Sequence, residues 1–264
     1  MKKYDVTISI VTYNNEDIIA NTLEKLIKNI PDSLKCLLYI IDNNSNDNTM
    51  EILSKYKSYD NLSVLNLDKN IGFGSAHNKI LNRINSKYHL IMNPDIIVDE
   101  KAIKKLYNYM EKNKTVGLIS PKILNENGTL QYSCKRLPKI RYFIYRYFKN
   151  IIPNKLIKKE LDYYTYKDKN HDKIFKPAII SGAFMFFRSK IFKKVGIFDE
   201  DYFLYFEDFD ISLRVNEYYD VIYYPDSIVY HKWGQGHYKN IKLFFIFINS
   251  MLKFFWKNKK RLRQ

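Results

Sequence analysis

VTISIVTYNNEDIIANTLEKLIKNIPDSLKCLLYIIDNNSND, residues 6–47, changes its hydrophobic period twice. Residues 6–11 form a short β-branched run of the kind a buried strand needs. Over residues 16–30 the apolar side chains fall at Ile19, Leu23, Leu26, Ile27 and Ile30. That spacing keeps them on one helical face, and Pro31 ends it. Residues 37–41 are apolar again and read as a second strand. Strand, helix and strand in this order make a βαβ unit, and hence two parallel strands.

The alternation continues. Asp47 is placed to cap a helix beginning near Thr49 that carries Ile52, Leu53 and Tyr56. Residues 62–67 read as a third strand, 75–84 as a helix and 88–92 as a fourth strand. Asp99 can cap a helix through Met110, and residues 116–120 form a further strand. This predicts an α/β fold with a mainly parallel sheet flanked by helices. Ligands of such sheets bind at the carboxyl ends of the strands. The polar clusters follow the strands directly: Thr12-Tyr13-Asn14, Asp42-Asn43-Asn44-Ser45 and Asn93-Pro94-Asp95. All three are expected on one rim. The second half is less regular, with a strand over 179–187, a short helix over 206–215, and a strand over 221–224 leading into a loop with His231.

Composition narrows the class. At 264 residues, 46% hydrophobic and 16% aromatic, the chain can bury a core, which excludes global disorder. Two cysteines are too few for a disulfide framework or a four-cysteine zinc site, and point to a reducing compartment. The formal charge of +16 is concentrated in residues 139–159 and 241–264, each with seven Lys/Arg and no acid. Both segments interleave these charges with Phe and Ile, the first also with Tyr and the second with Trp, a pattern suited to a helix lying on an anionic membrane surface. Packing against the domain is the competing reading. No nucleic-acid partner is expected, because no RNP, helix-turn-helix or zinc-finger pattern accompanies the charge. The longest apolar stretch, 243–252, is bounded by Lys242 and Lys253 and broken by Asn249 and Ser250, well short of the ~20 residues that span a bilayer. Asn14 to Asp17 also cut off any signal-peptide core. The expected location is cytoplasmic, peripheral at the inner face of the cell membrane.

Three clusters carry candidate chemistry. Gly72-Phe73-Gly74-Ser75 opens a helix after a strand, but His77 replaces the third glycine of a dinucleotide fingerprint. No P-loop occurs. The glycines allow close approach of a ligand, and a plain turn explains them equally. Asp95, stiffened by Pro94 and accompanied by the Asn93 oxygen, offers the oxygens a hard divalent cation prefers; a turn or capping role is the alternative. In Glu207-Asp208-Phe209-Asp210, positions 207 and 210 share a helical face while Asp208 points elsewhere. Crowded carboxylates among aromatics raise one another's pKa, which suits a general base. His231 is a further candidate metal ligand, although a lone histidine is more often structural.

ISIVTYN (8–14), IDNNSND (41–47), NIGFGSAHN (70–78), MNPD (92–95) and SGAFMFFRSKIFKKVGIFDEDYFLYFEDFDISLR (181–214) together resemble the family 2 glycosyltransferases, in particular the rhamnosyltransferase-like branch. The resemblance implies a GT-A fold, with a nucleotide-binding half over 1–120 and an acceptor half over 121–240 that includes the basic insertion 139–159. Residues 241–264 would be an appended basic amphipathic tail. It also implies transfer of a sugar, with inversion, from a nucleotide-sugar donor to a glycan or lipid-linked acceptor in cell-surface glycan synthesis. By position, Thr12, Tyr13 and Asn14 would line the nucleotide pocket and Asp42 would read the base. Asn70, Gly72, Gly74, Asn78 and Asn93 would border the nucleotide, while Gly182 and Ala183 would leave room for the sugar. Asp95 and His231 would hold Mg²⁺ or Mn²⁺. Asp208 would be the catalytic base, supported by Glu207 and Asp210. Rhamnose from dTDP-rhamnose is the expected sugar. A UDP-hexose, galactofuranose or N-acetylhexosamine donor, or a non-catalytic sugar-nucleotide or membrane-binding module, are the rivals. Two positions depart from the pattern: Asn93 replaces the first acid of the D-x-D motif, and His77 stands where many relatives have Arg.

Overall fold

Strand β1 (Tyr4–Thr12) is buried over its last seven residues, as a strand covered on both faces must be. It pairs in parallel with β2 (Cys36–Asp42) and β4 (Ser86–Met92), and β2 pairs with β3 (Leu62–Asn66). Helices α1 (Ile19–Asn29), α2 (Thr49–Ser54) and α3 (Phe73–Leu81) supply the crossovers. The protein is seen here in a computed structural model, which describes residues 3–148, 155–232 and 241–263. A strand β5 (Ile96–Val98) and helix α4 (Ala102–Lys112) lead to β6 (Val116–Asn125). β7 (Phe184–Arg188), followed by the short helix α7 (Phe192–Val195), and β8 (Asp220–His231) complete an eight-stranded sheet in the order β3-β2-β1-β4-β7-β6-β8-β5.

β7 runs antiparallel between β4 and β6, and β5 antiparallel beside β8; the other neighbours are parallel. The mainly parallel sheet of the sequence reading therefore holds with two reversed strands. Reversal of β7 matters for function: Met92, the last residue of β4, stands opposite Phe184, the first of β7. The turn entering β7 thus arrives at the carboxyl rim of the parallel strands.

Three elements differ from expectation. The strand expected over 179–187 starts only at Phe184, because the chain turns at Gly182-Ala183; Ile179 makes an isolated bridge to Lys135. β8 continues past Pro225, which lacks an N–H, by slipping register between Tyr224 and Ile228 against Pro121 and Lys122. His231 consequently ends a strand, where a loop was expected. β5 has three residues, too short a run for any periodicity to register.

The two basic segments lie on the domain and on each other. α5 (Ile140–Phe148) and α6 (Lys155–Tyr164) come from the first, α9 (Ile241–Lys257) from the second; residues 149–154 and 233–240 lie outside the described residues. Phe143 of α5 meets Phe247 and Phe255 of α9, with ring centroids 5.8 and 6.1 Å apart. α9 buries Ser250 and Phe254 against α8 (Glu207–Asn216) and the segment before it. Residues 241–263 are therefore built into the domain by one face. Their other face leaves Ile241, Phe245, Leu252 and Trp256 exposed. Among the described residues, no helix is long and apolar enough to cross a membrane.

Candidate active site

The rim begins where β1 and β2 end side by side, with Thr12 opposite Asp42. Both are buried. Thr12 Oγ1 donates to Asn15 Oδ1 (2.9 Å), and Asp42 accepts from the Ser45 hydroxyl (2.5 Å) and backbone N–H (2.8 Å). Asn14 takes a left-handed conformation and ties the two loops together: its N–H donates to Ser45 Oγ and its Oδ1 accepts from Asn46 N–H. Tyr13 stands exposed above them. Asn43, quoted in the sequence cluster but given no role, holds the next loop. Its Nδ2 donates to Asn70 Oδ1 (3.0 Å) and its Oδ1 accepts from Ile71 N–H (3.0 Å).

Gly72, Gly74 and Asn78 make contacts to protein on the far side of the site. Gly72 has φ +88°, and a Cβ there would collide with the Phe203 carbonyl. Phe73 N–H donates to that same carbonyl at 3.0 Å. A Cβ on Gly74 would come 3.0 Å from Phe198 Cβ. Asn78 is buried, donating to Phe198 O (2.9 Å) and Glu200 Oε1 (3.0 Å) and accepting from Phe198 N–H (3.1 Å). These residues join α3 to the 198–203 segment. His77 is fully buried, so it makes no phosphate contact at the surface; its Nδ1 pairs with Ser9 Oγ at 2.8 Å, and burial holds its pKa well below the usual histidine range.

Asp95 and His231 meet. His231 faces Ile96 across the β5–β8 pair, and its Nε2 lies 3.1 Å from Asp95 Oδ1. Gln131 donates Nε2–H to Asn125 Oδ1 (2.6 Å) and His231 O (3.1 Å), which leaves its Oε1 to accept from His231 Nδ1 (2.8 Å). With Gln131 Oε1 accepting, Nδ1 is the donor, and in the neutral ring Nε2 carries the lone pair. Asp95 Oδ1 is buried and has no hydrogen-bond partner. Two lone pairs facing each other at this distance fit a shared cation. A ligating histidine held through its second nitrogen is the usual arrangement around such an ion. Among the described residues no third His, Cys, Asp or Glu joins them. The carboxylate suits Mg²⁺ or Mn²⁺, the imidazole favours Mn²⁺ of the two, and water and phosphate would supply the other positions. Asn93, by contrast, is tied into the rim through its backbone, donating N–H to Ala183 O (3.0 Å).

Ala183 leads to the carboxylates. The preceding residue, Gly182, donates its N–H to Asp208 Oδ2 at 2.8 Å, and Phe209 N–H donates to Asp208 Oδ1 at 2.9 Å. Asp208 is half-buried, and burial raises its pKa against these two bonds and the nearby Lys135 charge, which lower it. Glu207 is buried; burial, then the Asp208 charge, push its pKa well above the usual carboxylate range, and its Oε2 has no partner. Asp210 corrects the sequence reading. It was expected to support the base and acceptor, yet its oxygens are taken by Arg214 Nε (2.7 Å) and Asn258 Nδ2 (3.0 Å) inside the fold.

Immediately before these acids, Tyr205 and Phe206 both have φ +69°, a conformation that costs a bulky residue about 1–2 kcal/mol. Sequence inspection missed this strain, as it missed Gln131 and Lys135. The pattern around them is ordinary, and their partners are distant in the chain. Cys36 and Cys134 are buried free thiols whose pKa values burial pushes up to about 12, so neither is a nucleophile.

Against known proteins, the glycosyl transferase family 2 model matches residues 7–196, stopping short of the α8 acids. An uncharacterized glycosyltransferase of Methanocaldococcus jannaschii, MJ1057, is 26% identical over 98% of this chain and 82% of its own length. The rhamnosyltransferase WbbL of Escherichia coli is 27% identical over 80% of this chain and 76% of its own. Among solved structures, GalNAc-T7, crystallised with UDP, GalNAc and Mn²⁺, superposes with a TM-score of 0.68 at 16% identity. It does so over 90% of this chain, which spans 45% of that one. The fold is thus GT-A-like. With 190 consecutive residues matched and the sheet rim intact, the chain belongs to glycosyl transferase family 2.

Proposed function

We propose that this chain is an inverting, metal-dependent glycosyltransferase that moves rhamnose from dTDP-rhamnose to a hydroxyl of a lipid-linked or polysaccharide acceptor in cell-surface glycan synthesis. One arrangement carries the reading. The Asp95–His231 pair and Asp208 flank a single turn, reached through Asn93–Ala183 on one side and Gly182–Asp208 on the other. Mg²⁺ or Mn²⁺ held there would neutralise the diphosphate leaving group. Gln131, bonded to His231 Nδ1, would leave Nε2 free to hold that ion. Asp208 accepts the proton of the acceptor hydroxyl as it attacks, its carboxylate fixed by two backbone N–H groups. A single base and direct attack give inversion, with no second carboxylate acting as nucleophile. Thr12, Tyr13, Asn14 and Asp42 are assigned to the nucleotide and Gly182 to the sugar. The rhamnosyltransferase relative favours rhamnose.

The exposed apolar residues of α5, α6 and α9, in segments whose sequence carries fourteen Lys/Arg and no acid over 139–159 and 241–264, favour docking on an anionic inner leaflet where a lipid-linked acceptor resides. The test of the reaction is nucleotide release from a donor panel including UDP-hexose, UDP-galactofuranose and UDP-N-acetylhexosamine. It is run with Mn²⁺ or Mg²⁺, then with EDTA, for wild type and Asp208→Asn. Release from dTDP-rhamnose, abolished by EDTA and reduced at least a hundredfold by Asp208→Asn, is expected. Release from another donor replaces the sugar. No release, with no thermal shift from any nucleotide, refutes the enzyme.

A further inference from the structure

We infer that α9 is a brace that positions the strained Tyr205–Phe206 turn, and that Ser250 and Asn258 are positioning residues for the carboxylates of α8. The inference rests on reading Glu207 and Asp208 as the reacting acids.

Ser250, Phe254 and Asn258 lie four residues apart, on one helical stripe at the end of the chain. All three are buried, at 2%, 0% and 0% exposure. Each reaches the segment that presents the acids. Ser250 Oγ donates to Leu204 O at 2.8 Å, the Phe254 ring packs on Phe206 at 5.3 Å, and Asn258 Nδ2 donates to Asp210 Oδ1 at 3.0 Å. Leu204 is the residue just before two consecutive left-handed residues. Left-handed backbone of this kind persists only where its surroundings over-determine it. On the other side, Phe73 N–H holds Phe203 O at 3.0 Å. The turn is gripped between α3 and α9. A buried serine on α9 and a buried asparagine directly after it are costly unless they bond. Here they bond the carbonyl that enters the turn and the acid that follows it.

The experiment compares Ser250→Ala and Asn258→Ala with Asn249→Ala, an exposed neighbour on the same helix. Amide hydrogen exchange of residues 203–210 in the full chain is one readout, and kcat and donor KM in the nucleotide-release assay are the other. A brace predicts faster exchange confined to 203–210, and a fall in kcat of about tenfold or more with donor KM within about twofold. Asn249→Ala should match wild type in both. Unchanged exchange over 203–210, or a slowed enzyme whose loss lies wholly in KM, overturns the inference. A wild-type chain that releases no nucleotide and shows no thermal shift from any nucleotide, while the exchange effect stands, refutes the transferase reading and leaves the brace in place.

Discussion

Glu207, Asp208 and Asp210 occupy one helical turn and meet three different fates. Asp210 is neutralised by Arg214, Asp208 is held half-buried by backbone donors, and Glu207 is buried with one oxygen unpartnered. Asp208 and Glu207 have raised pKa values, Glu207 chiefly through burial and then the Asp208 charge. The folded chain therefore keeps the Glu207 proton over a range in which the unfolded chain, near 4.5, has lost it. Its contribution to stability is complete below that ordinary range and is lost as pH rises through the folded value. Thermal unfolding from pH 4.5 to 8 should accordingly show a melting temperature that falls more steeply for wild type than for Glu207→Gln, whose amide cannot titrate. Equal slopes would mean that Glu207 is not held protonated by the fold.

At the scale of elements, the joint between α3 and the 198–203 segment is where the two halves of the site are set against each other. Gly72 has a backbone conformation essentially restricted to glycine, and no room for a Cβ beside Phe203 O. Gly128 shares the positive φ, +79°, but a Cβ there meets nothing within 4 Å. Gly128→Ala should cost about 1 kcal/mol in chemical unfolding, from strain alone, and Gly72→Ala about 3 kcal/mol. Comparable losses would show that the Phe203 contact yields easily. The helical and strand periods of α1, β2 and β4 were legible because each is a property of consecutive residues. β5 and the continuation of β8 to His231 were not. Three residues carry no period, and Pro225 reads as a stop unless the bulge opposite Pro121 is known.

Across the whole molecule the basic charge and the exposed apolar side chains coincide. Fourteen of the formal +16 belong to two segments that converge through Phe143, Phe247 and Phe255. Phe245 and Trp256 point outward from α9, at 64% and 77% exposure. Replacing both with serine removes anchors worth about 1.5–3 kcal/mol each when buried, and spares the face that packs on Phe206. Sedimentation with phosphatidylglycerol-rich vesicles should show at least a tenfold weaker affinity for Phe245→Ser/Trp256→Ser, with little binding of either protein to neutral vesicles. Equal affinity of the two proteins for anionic vesicles would reject α9 as the membrane contact.

The alternation of strand and helix, the polar clusters at the strand ends, Asp95 and the paired acids at 207 and 208 were all determined by the chain locally. Period and turn chemistry need only neighbours in sequence. Tertiary structure decided the rest. It directed Asn78 to a backbone 120 residues away, turned Asp210 toward Asn258, buried His77 beneath the rim, and joined His231 to Gln131 across 100 residues. The same amphipathic helix that reads as an appended tail packs by one face on the domain. Its stripe of Ser250, Phe254 and Asn258 acquires meaning only from the partners that folding brings to it.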